Sequence, residues 1–370
     1  LRKFYVAGHE SSYDIDHKLF NIPAKMNIGF RLYWERFEDD RKEGSSPLDR
    51  EGVYFEPVGP DSFDIIGNPA VHILGKSHHY ETRALSGYVQ ESLSAGIFDF
   101  RPGLRFEVFE QERIDRLNGS SYQDQTESVI LPGFSLSADL YGMKFFGGVH
   151  RGYTPPSSGA INIDMILVDY VDNGLDVLPE KSWNKEIGVK GSFPIVDFEV
   201  SGFHVDIENL IAAARATAFK NLGRVRTMGV ESRASIYLST FSSLLPNINV
   251  VHTLMDSEVI EGSLSASLGK TDIAGNKLPY VPRNTLIVGA ESAFSDKIAL
   301  RFDCKYVSKV YTDFENIDSP QNKGIQGTID PYTLFNISAN YEINKKINLF
   351  LSGKNILDTV YIGSRLHSNP

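Results

Sequence analysis

Ile298-Ala299-Leu300-Arg301-Phe302-Asp303-Cys304-Lys305-Tyr306 is the stretch on which the fold turns. Ile298, Leu300, Phe302, Cys304 and Tyr306 make an apolar face, and Ala299, Arg301, Asp303 and Lys305 make a wet one. A period of two belongs to a β-strand, because successive side chains point to opposite sides of a sheet. The same alternation recurs at 134–140, where Phe134, Leu136, Ala138 and Leu140 oppose Ser135, Ser137 and Asp139. It recurs at 228–238 and at 335–343. Only the Ala-rich run at 207–219 suggests a helix, and its close strand neighbours make it a loop or a strand extension.

Working outward, the pattern predicts fourteen strands, near 1–10, 24–38, 80–98, 103–112, 130–140, 144–153 and 182–192, then 198–210, 227–240, 247–257, 284–294, 298–308, 332–343 and 347–356. From residue 24 onward the linkers alternate between long (39–79, 113–129, 154–181, 211–226, 258–283, 309–331) and short (99–102, 141–143, 193–197, 241–246, 295–297, 344–346), with 11–23 intermediate. In an up-and-down antiparallel barrel every second connection lies on the same rim. Regular alternation therefore describes one rim of tight turns and one of large loops, the pattern of outer-membrane barrels. A Greek-key sandwich gives no such regularity. The predicted fold class is all-β, a transmembrane antiparallel up-and-down β-barrel.

Composition narrows the function classes. Acidic residues outnumber basic ones 47 to 37, a net charge of −10, so no basic surface invites nucleic acid. The single cysteine, Cys304, excludes an internal disulfide framework and a Cys-rich zinc site. No apolar run reaches the roughly 18–20 residues of a membrane helix. No nucleophile elbow, His-Glu-x-x-His or P-loop is present, so no enzyme activity, cofactor or metal is expected. Gly147-Gly148 reads as a strand kink and His78-His79 as solvated loop histidines. Glu180 and Glu186 straddle a strand start and read as polar lumen or rim residues, not a catalytic pair. Phe145, Phe146, Tyr153, Tyr332, Phe335 and Tyr361 lie near strand ends, where interfacial aromatic girdles form. The linker 39–79 is rich in acids, and both chain ends read as cuts in a larger chain.

Several strings resemble one family. Gly87-Tyr88-Val89-Gln90-Glu91-Ser92 leads to Phe100-Arg101-Pro102-Gly103-Leu104-Arg105-Phe106-Glu107, and Phe146-Gly147-Gly148-Val149-His150-Arg151-Gly152-Tyr153-Thr154-Pro155-Pro156 follows. Further strings are Leu178-Pro179-Glu180-Lys181-Ser182-Trp183-Asn184-Lys185-Glu186-Ile187-Gly188 and Asn221-Leu222-Gly223-Arg224-Val225-Arg226-Thr227-Met228-Gly229-Val230-Glu231. Leu278-Pro279-Tyr280-Val281-Pro282-Arg283-Asn284 and Gly353-Lys354-Asn355-Ile356-Leu357-Asp358-Thr359-Val360-Tyr361 complete the set. In this order they resemble the C-terminal barrel of TonB-dependent outer-membrane receptors, above all those for ferric citrate and siderophores.

The resemblance implies a 22-stranded barrel, of which residues 1–370 would be strands 8 to 21, without the plug domain, the first strands or the last strand. It implies localisation in the bacterial outer membrane, with TonB-energised uptake of a ferric siderophore or a ferric citrate-like chelate. The implied partners are the TonB-ExbB-ExbD complex, the ferric chelate, and outer-membrane lipid or lipopolysaccharide. An anionic chelate needs cations and hydrogen-bond donors at the barrel mouth. Strand-end position makes Arg83, His150, Arg151 and Arg224 the candidate ligand contacts, with Arg226 beside them. A passive porin, a receptor for another ligand (cobalamin, haem, glycan) and a soluble β-rich carbohydrate protein are the competing readings.

Overall fold

A computed structural model of the chain describes residues 2–44, 54–59, 62–66, 72–115, 120–156, 177–212, 220–266, 269–321, 324 and 326–365. The strands in chain order are β1 (Arg2–Leu19), β2 (Ile22–Gly44), β3 (Tyr54–Gly59), β4 (Ser62–Ile66), β5 (His72–Ala95) and β6 (Phe98–Asp115). They continue as β7 (Ser120–Leu140), β8 (Met143–Thr154), β9 (Glu180–Phe193), β10 (Val196–Ala212), β11 (Lys220–Ile236) and β12 (Asn247–Ala266). The last are β13 (Gly269–Asp272), β14 (Asn284–Ser295), β15 (Ile298–Val307), β16 (Tyr332–Asn344) and β17 (Ile347–Gly353). Fourteen of them form one antiparallel path in which each strand pairs with its neighbours in sequence. β13 folds back on β12, and β3 pairs only with β4.

All fourteen predicted strands are present, but many run further than the alternation reached. The predicted linker 11–23 is a two-residue turn, Phe20-Asn21, with both residues at positive φ (49° and 67°). Tyr141-Gly142 repeats this geometry (φ 52° and 78°). Two successive positive φ values match the right-handed twist of the flanking strands, so such turns close hairpins tightly. On the opposite rim β2 continues to Gly44, and β6 and β7 approach within residues 116–119. The strands outrun the prediction there because they project past the lipid, where the in–out rule no longer shapes the sequence. The acidic side chains between 40 and 77, most of the linker 154–181, residues 213–219 of the Ala-rich run and the tail 366–370 lie outside the described residues.

Register separates the two faces. Phe302 pairs with Ala290 and Ile337, while Arg301 pairs with Glu291 and Ser338. On β6 one face carries Phe98, Phe100, Pro102, Leu104, Phe106 and Val108, then turns polar at Glu110 and Glu112. Ten residues at about 3.4 Å each, tilted by about 40°, rise about 26 Å, the height of the apolar band of an outer-membrane barrel. Neighbouring strands change character at the same level: Trp34 gives way to Arg36, Leu85 to Arg83, Met228 to Arg226 and Leu254 to Asp256. The other face carries Arg101, Arg105, Glu107, Glu231, Arg233, Arg301 and Asp303. The apolar face is therefore the lipid side and the charged one the lumen side.

A one-layer wall has no interior, so tight apolar burial collects where loops fold over it. Leu222, Val225, Val259 and Ile273 form such a cluster at the long-loop rim, packed by Ile207, Leu210 and Phe314. The loop after β15 is locked to the β13–β14 loop by Asn316, which donates to the Lys277 carbonyl (2.9 Å) and accepts from the Lys277 amide (2.6 Å). Beyond β17, Asn355 sits at φ 50° and holds its turn by bonding both the amide and the carbonyl of Thr359 (3.0 Å each). Tyr361 then packs against Tyr332, the two rings tilted and their centroids 4.6 Å apart.

Two sequence readings change. Gly147-Gly148 is not a kink: β8 pairs β7 and β9 through both residues without a register shift. His78-His79 is not a loop pair but lies within β5, with His78 buried on the lumen side against Tyr80 and His79 on the outer side beside Arg36 and Glu38.

Candidate ligand-facing wall

The lumen face of β5 to β11 encloses a cavity of about 1070 Å³ lined by Tyr88, Gln90, Arg101, Arg105, His150, Asn184 and Glu186 among others. These side chains converge because they occupy alternate positions on neighbouring strands. Tyr88 pairs with Arg105, Gln90 with Gly103, His150 with Asn184, and Glu186 with Phe203. Glycines keep the wall thin where large groups pass: a Cβ on Gly188 would lie 2.5 Å from the Phe146 ring and 2.8 Å from the Val200 carbonyl oxygen. Phe146 thus points into the lumen and is no girdle residue, whereas its neighbour Phe145 faces lipid. Adjacent residues of a strand cannot share a face.

Most lumen charges are matched. Arg105 bonds Glu107 (3.0 Å) and Ser86 (3.2 Å), Lys144 reaches Asp139 (3.1 Å), Arg233 meets Glu199 (2.8 Å), and Arg301 clamps Asp303. Among the described residues, Arg101 and His150 have no carboxylate within ion-pair distance in this polar cavity. Arg31 lies over the Tyr33 ring (5.0 Å) and Lys190 over the Phe146 ring (5.9 Å).

Towards the long-loop rim the lumen face becomes aromatic. Phe4, Phe37 and Tyr80 stack across β1, β2 and β5, with ring centroids 4.4 and 5.5 Å apart. His78 meets the edge of Tyr80 and lies 3.1 Å from its hydroxyl. On β6, the paired neighbour of β5, Phe109, Gln111 and Arg113 are buried on the same side. Gln111 donates to the Pro156 carbonyl (2.9 Å), which ties the end of β8 over this surface. The sequence reading missed this aromatic ladder. Its signal was present: aromatics on the otherwise polar parity at the same end of adjacent strands.

The four candidate contacts do not come together. His150 faces the cavity. Arg83 is on the outer side of β5, bonded to Glu81 (2.6 Å) and near Glu110 (3.7 Å). Arg151 shares the outer face with Trp183 and lies over its ring (5.6 Å). Arg224 is on the outer side of β11, bidentate on Asp206 (Nε to Oδ1, 2.7 Å), with Arg226 beside Glu258 (3.6 Å). Strand-end position alone ignored parity, and parity decides which side of the wall a cation serves. No group of three or more His, Cys, Asp or Glu that could hold a metal occurs among the described residues.

Residues 3–356 match the family described as TonB dependent receptor-like, beta-barrel. The probable TonB-dependent siderophore receptor PiuA of Acinetobacter baumannii is 25% identical over 220 residues, 58% of this chain and 26% of that protein. The catecholate siderophore receptor Fiu of Escherichia coli K12 is 21% identical over 235 residues, 61% of this chain and 29% of that protein. Among solved structures, the unliganded ferric citrate transporter FecA superposes with a TM-score of 0.76 at 18% identity, over 97% of this chain and 50% of that one. The siderophore receptor PiuA from Acinetobacter baumannii gives 0.72 at 16% identity, over 97% and 52%. The chain spans about half the length of these solved structures, and its matches span little more than a quarter of the curated relatives.

Proposed function

Because this chain belongs to the TonB-dependent receptor-like β-barrel family, we propose that it forms the wall of an outer-membrane receptor that takes up a ferric chelate with energy supplied through TonB. The ligand class we favour is a ferric siderophore or a ferric citrate-like chelate. The names of the relatives support this reading. The observation that carries it is the lumen cavity, where Arg101, Arg105 and His150 stand among Tyr88, Gln90 and Asn184. Cations with flanking donors are the set an anionic, oxygen-rich chelate requires.

Above the cavity, the Phe4–Phe37–Tyr80 ladder provides the mouth with a planar apolar wall for the organic part of such a ligand. Of the four contacts expected from sequence, the proposal retains His150 and leaves Arg83, Arg151 and Arg224 to the outer surface. We further propose that residues 1–370 are one part of a larger closed barrel. Free strand edges in hydrocarbon would leave backbone N–H and C=O groups unsatisfied. The proposed partner for energy coupling is the TonB-ExbB-ExbD complex, engaged elsewhere in the full-length protein.

The test uses the full-length receptor, with binding and uptake of iron-55 citrate and of an iron-55 catecholate complex. The double variant Arg101→Ala/His150→Ala should lose about tenfold or more in affinity for the transported chelate, as removal of charge-assisted hydrogen bonds implies. A large, stable open-channel conductance with no chelate binding would overturn the receptor reading in favour of a passive porin.

A further inference from the structure

The lower lumen holds an arrangement that chelate binding at the mouth does not use. Lumen-facing charges form one row across β7 to β11, set by register: Asp139 pairs with Lys144, Lys144 with Lys190, Lys190 with Glu199, and Glu199 with Arg233. Two lysines thus stand directly opposite each other, and like charges so placed destabilise a sheet. On β8 the row is four residues below Gly148, which shares a row with Arg101, and six below His150. At about 3.4 Å per residue and a tilt of about 40°, it lies about 10 and 16 Å nearer the short-turn rim.

Four of the five charges satisfy each other. Lys144 meets Asp139 (3.1 Å) and reaches Asp99 (3.7 Å), and Arg233 meets Glu199 (2.8 Å). Nearby, Asp197 accepts from Ser192 and Tyr237 (2.5 Å each), and Asp99 accepts from Ser94 (2.6 Å). Lys190 is the odd charge. Among the described residues no carboxylate lies within ion-pair distance of it, and its ammonium rests 5.9 Å from the centre of the Phe146 ring.

The row is also a junction. Lys144 and Lys190 line both the cavity of about 1070 Å³ that holds Arg101 and His150 and a second one, of about 630 Å³, that runs to the short turn at Tyr141-Gly142. The aromatic rings between the two levels lie flat on the wall. Phe146 covers Gly188, and Phe203 covers Gly229, where a Cβ would come within 2.8 Å of the ring. A side chain on either glycine would push a ring out into the lumen.

We propose that Lys190, with Lys144 beside it, is a transit station for the anionic chelate. It takes the anionic oxygens of the ligand after they leave Arg101 and His150 and before the ligand passes the short-turn rim. The proposal rests on the reading of the protein as a chelate receptor. An ammonium is a point charge with rotatable donors on a flexible stem, so it can follow a moving anion, whereas the planar guanidinium of Arg101 holds one in a fixed geometry. The odd positive charge of the row is what an anion in passage neutralises. Arg101 and His150 set affinity at the mouth, and Lys190 sets the rate of departure from it.

The experiment compares equilibrium binding with energised uptake of the iron-55 chelate in cells carrying the full-length receptor. Lys190→Gln should leave the dissociation constant unchanged and lower the maximal uptake rate about tenfold, the weight of one charge-assisted hydrogen bond. Lys190→Arg, which keeps the charge, should restore the rate. Arg301→Gln, at a lumen arginine matched by Asp303, should leave both unchanged. A wild-type rate in Lys190→Gln overturns the station. An equal loss of affinity overturns it too, because Lys190 then belongs to the binding chamber. Slow uptake accompanied by sensitivity to vancomycin, a solute too large for an intact outer membrane, overturns it in favour of a sealing role. Absence of chelate binding and uptake in the wild-type receptor refutes the receptor reading itself and the station with it. If Lys190→Gln fails to fold, judged by heat-modifiable gel migration, Lys190→Met must show the same split, and a wild-type rate there counts against the proposal.

Discussion

Replacing Phe302 by Arg puts the assignment of faces to its strictest test. Phe302 lies midway along β15, with Leu300 and Cys304 on the same face and the Phe335 ring 5.8 Å away on β16. It stands about five residues above the turn at 296–297, which at about 3.4 Å per residue and a tilt of about 40° is close to the bilayer midplane. An arginine there costs about 2–4 kcal/mol, and loss of the aromatic pair adds about 0.5–1.5 kcal/mol. Arg301, one residue away, faces the lumen and bonds Asp303 within its own strand (3.0 and 3.1 Å), and its side chain is more than half exposed. Arg301→Ala therefore costs about 0–1 kcal/mol. The two variants should differ by at least about 1.5 kcal/mol, a factor of about thirteen in the folding equilibrium. The assay is reversible urea unfolding of the full-length receptor in lipid vesicles, followed by tryptophan fluorescence. Equal destabilisation by the two substitutions, or a larger effect from Arg301→Ala, would refute the register-based division into lipid and lumen faces.

Further outcomes follow from the same geometry. Gly188→Ala places a Cβ 2.8 Å from the Val200 carbonyl oxygen and should destabilise the barrel by about 1–3 kcal/mol, visible as a lower urea midpoint. Asn355→Ala removes the two bonds that hold the 355–359 turn and should raise hydrogen exchange there by about tenfold, while exchange in β9 is unchanged. Arg224→Ala breaks an exposed outer ion pair, so the urea midpoint should barely move and chelate uptake should match wild type. Reduced uptake in that variant would restore Arg224 to the ligand site.

The long-loop rim gives the clearest account of what could be read in advance. Hairpin order and the placement of all fourteen strands were legible because lipid on one side and water on the other force an in–out alternation on each strand. Where the strands leave the lipid this constraint ends, so β2, β6 and β7 ran longer than expected and His78 moved from a loop to a buried strand position. The ligand-facing residues were only partly legible. His150 was found from its place near a strand end, but Arg151 beside it points the other way. The Phe4–Phe37–Tyr80 ladder was missed because its members lie far apart in the chain and meet only through strand register.

By itself, the amino-acid sequence determined the class of structure, the order of its hairpins and the face of each strand within the band. Those are properties of a local period acting against a two-phase solvent. Only the tertiary structure decided which side chains become neighbours. Arg83, Arg151 and Arg224 are strand-end cations alike in sequence, yet pairing across the sheet turns all three outward, two onto carboxylates and one onto a tryptophan. The cavity around Arg101 and His150 exists for the same reason: it is assembled from neighbouring strands whose register is set between distant segments of the chain, not within one.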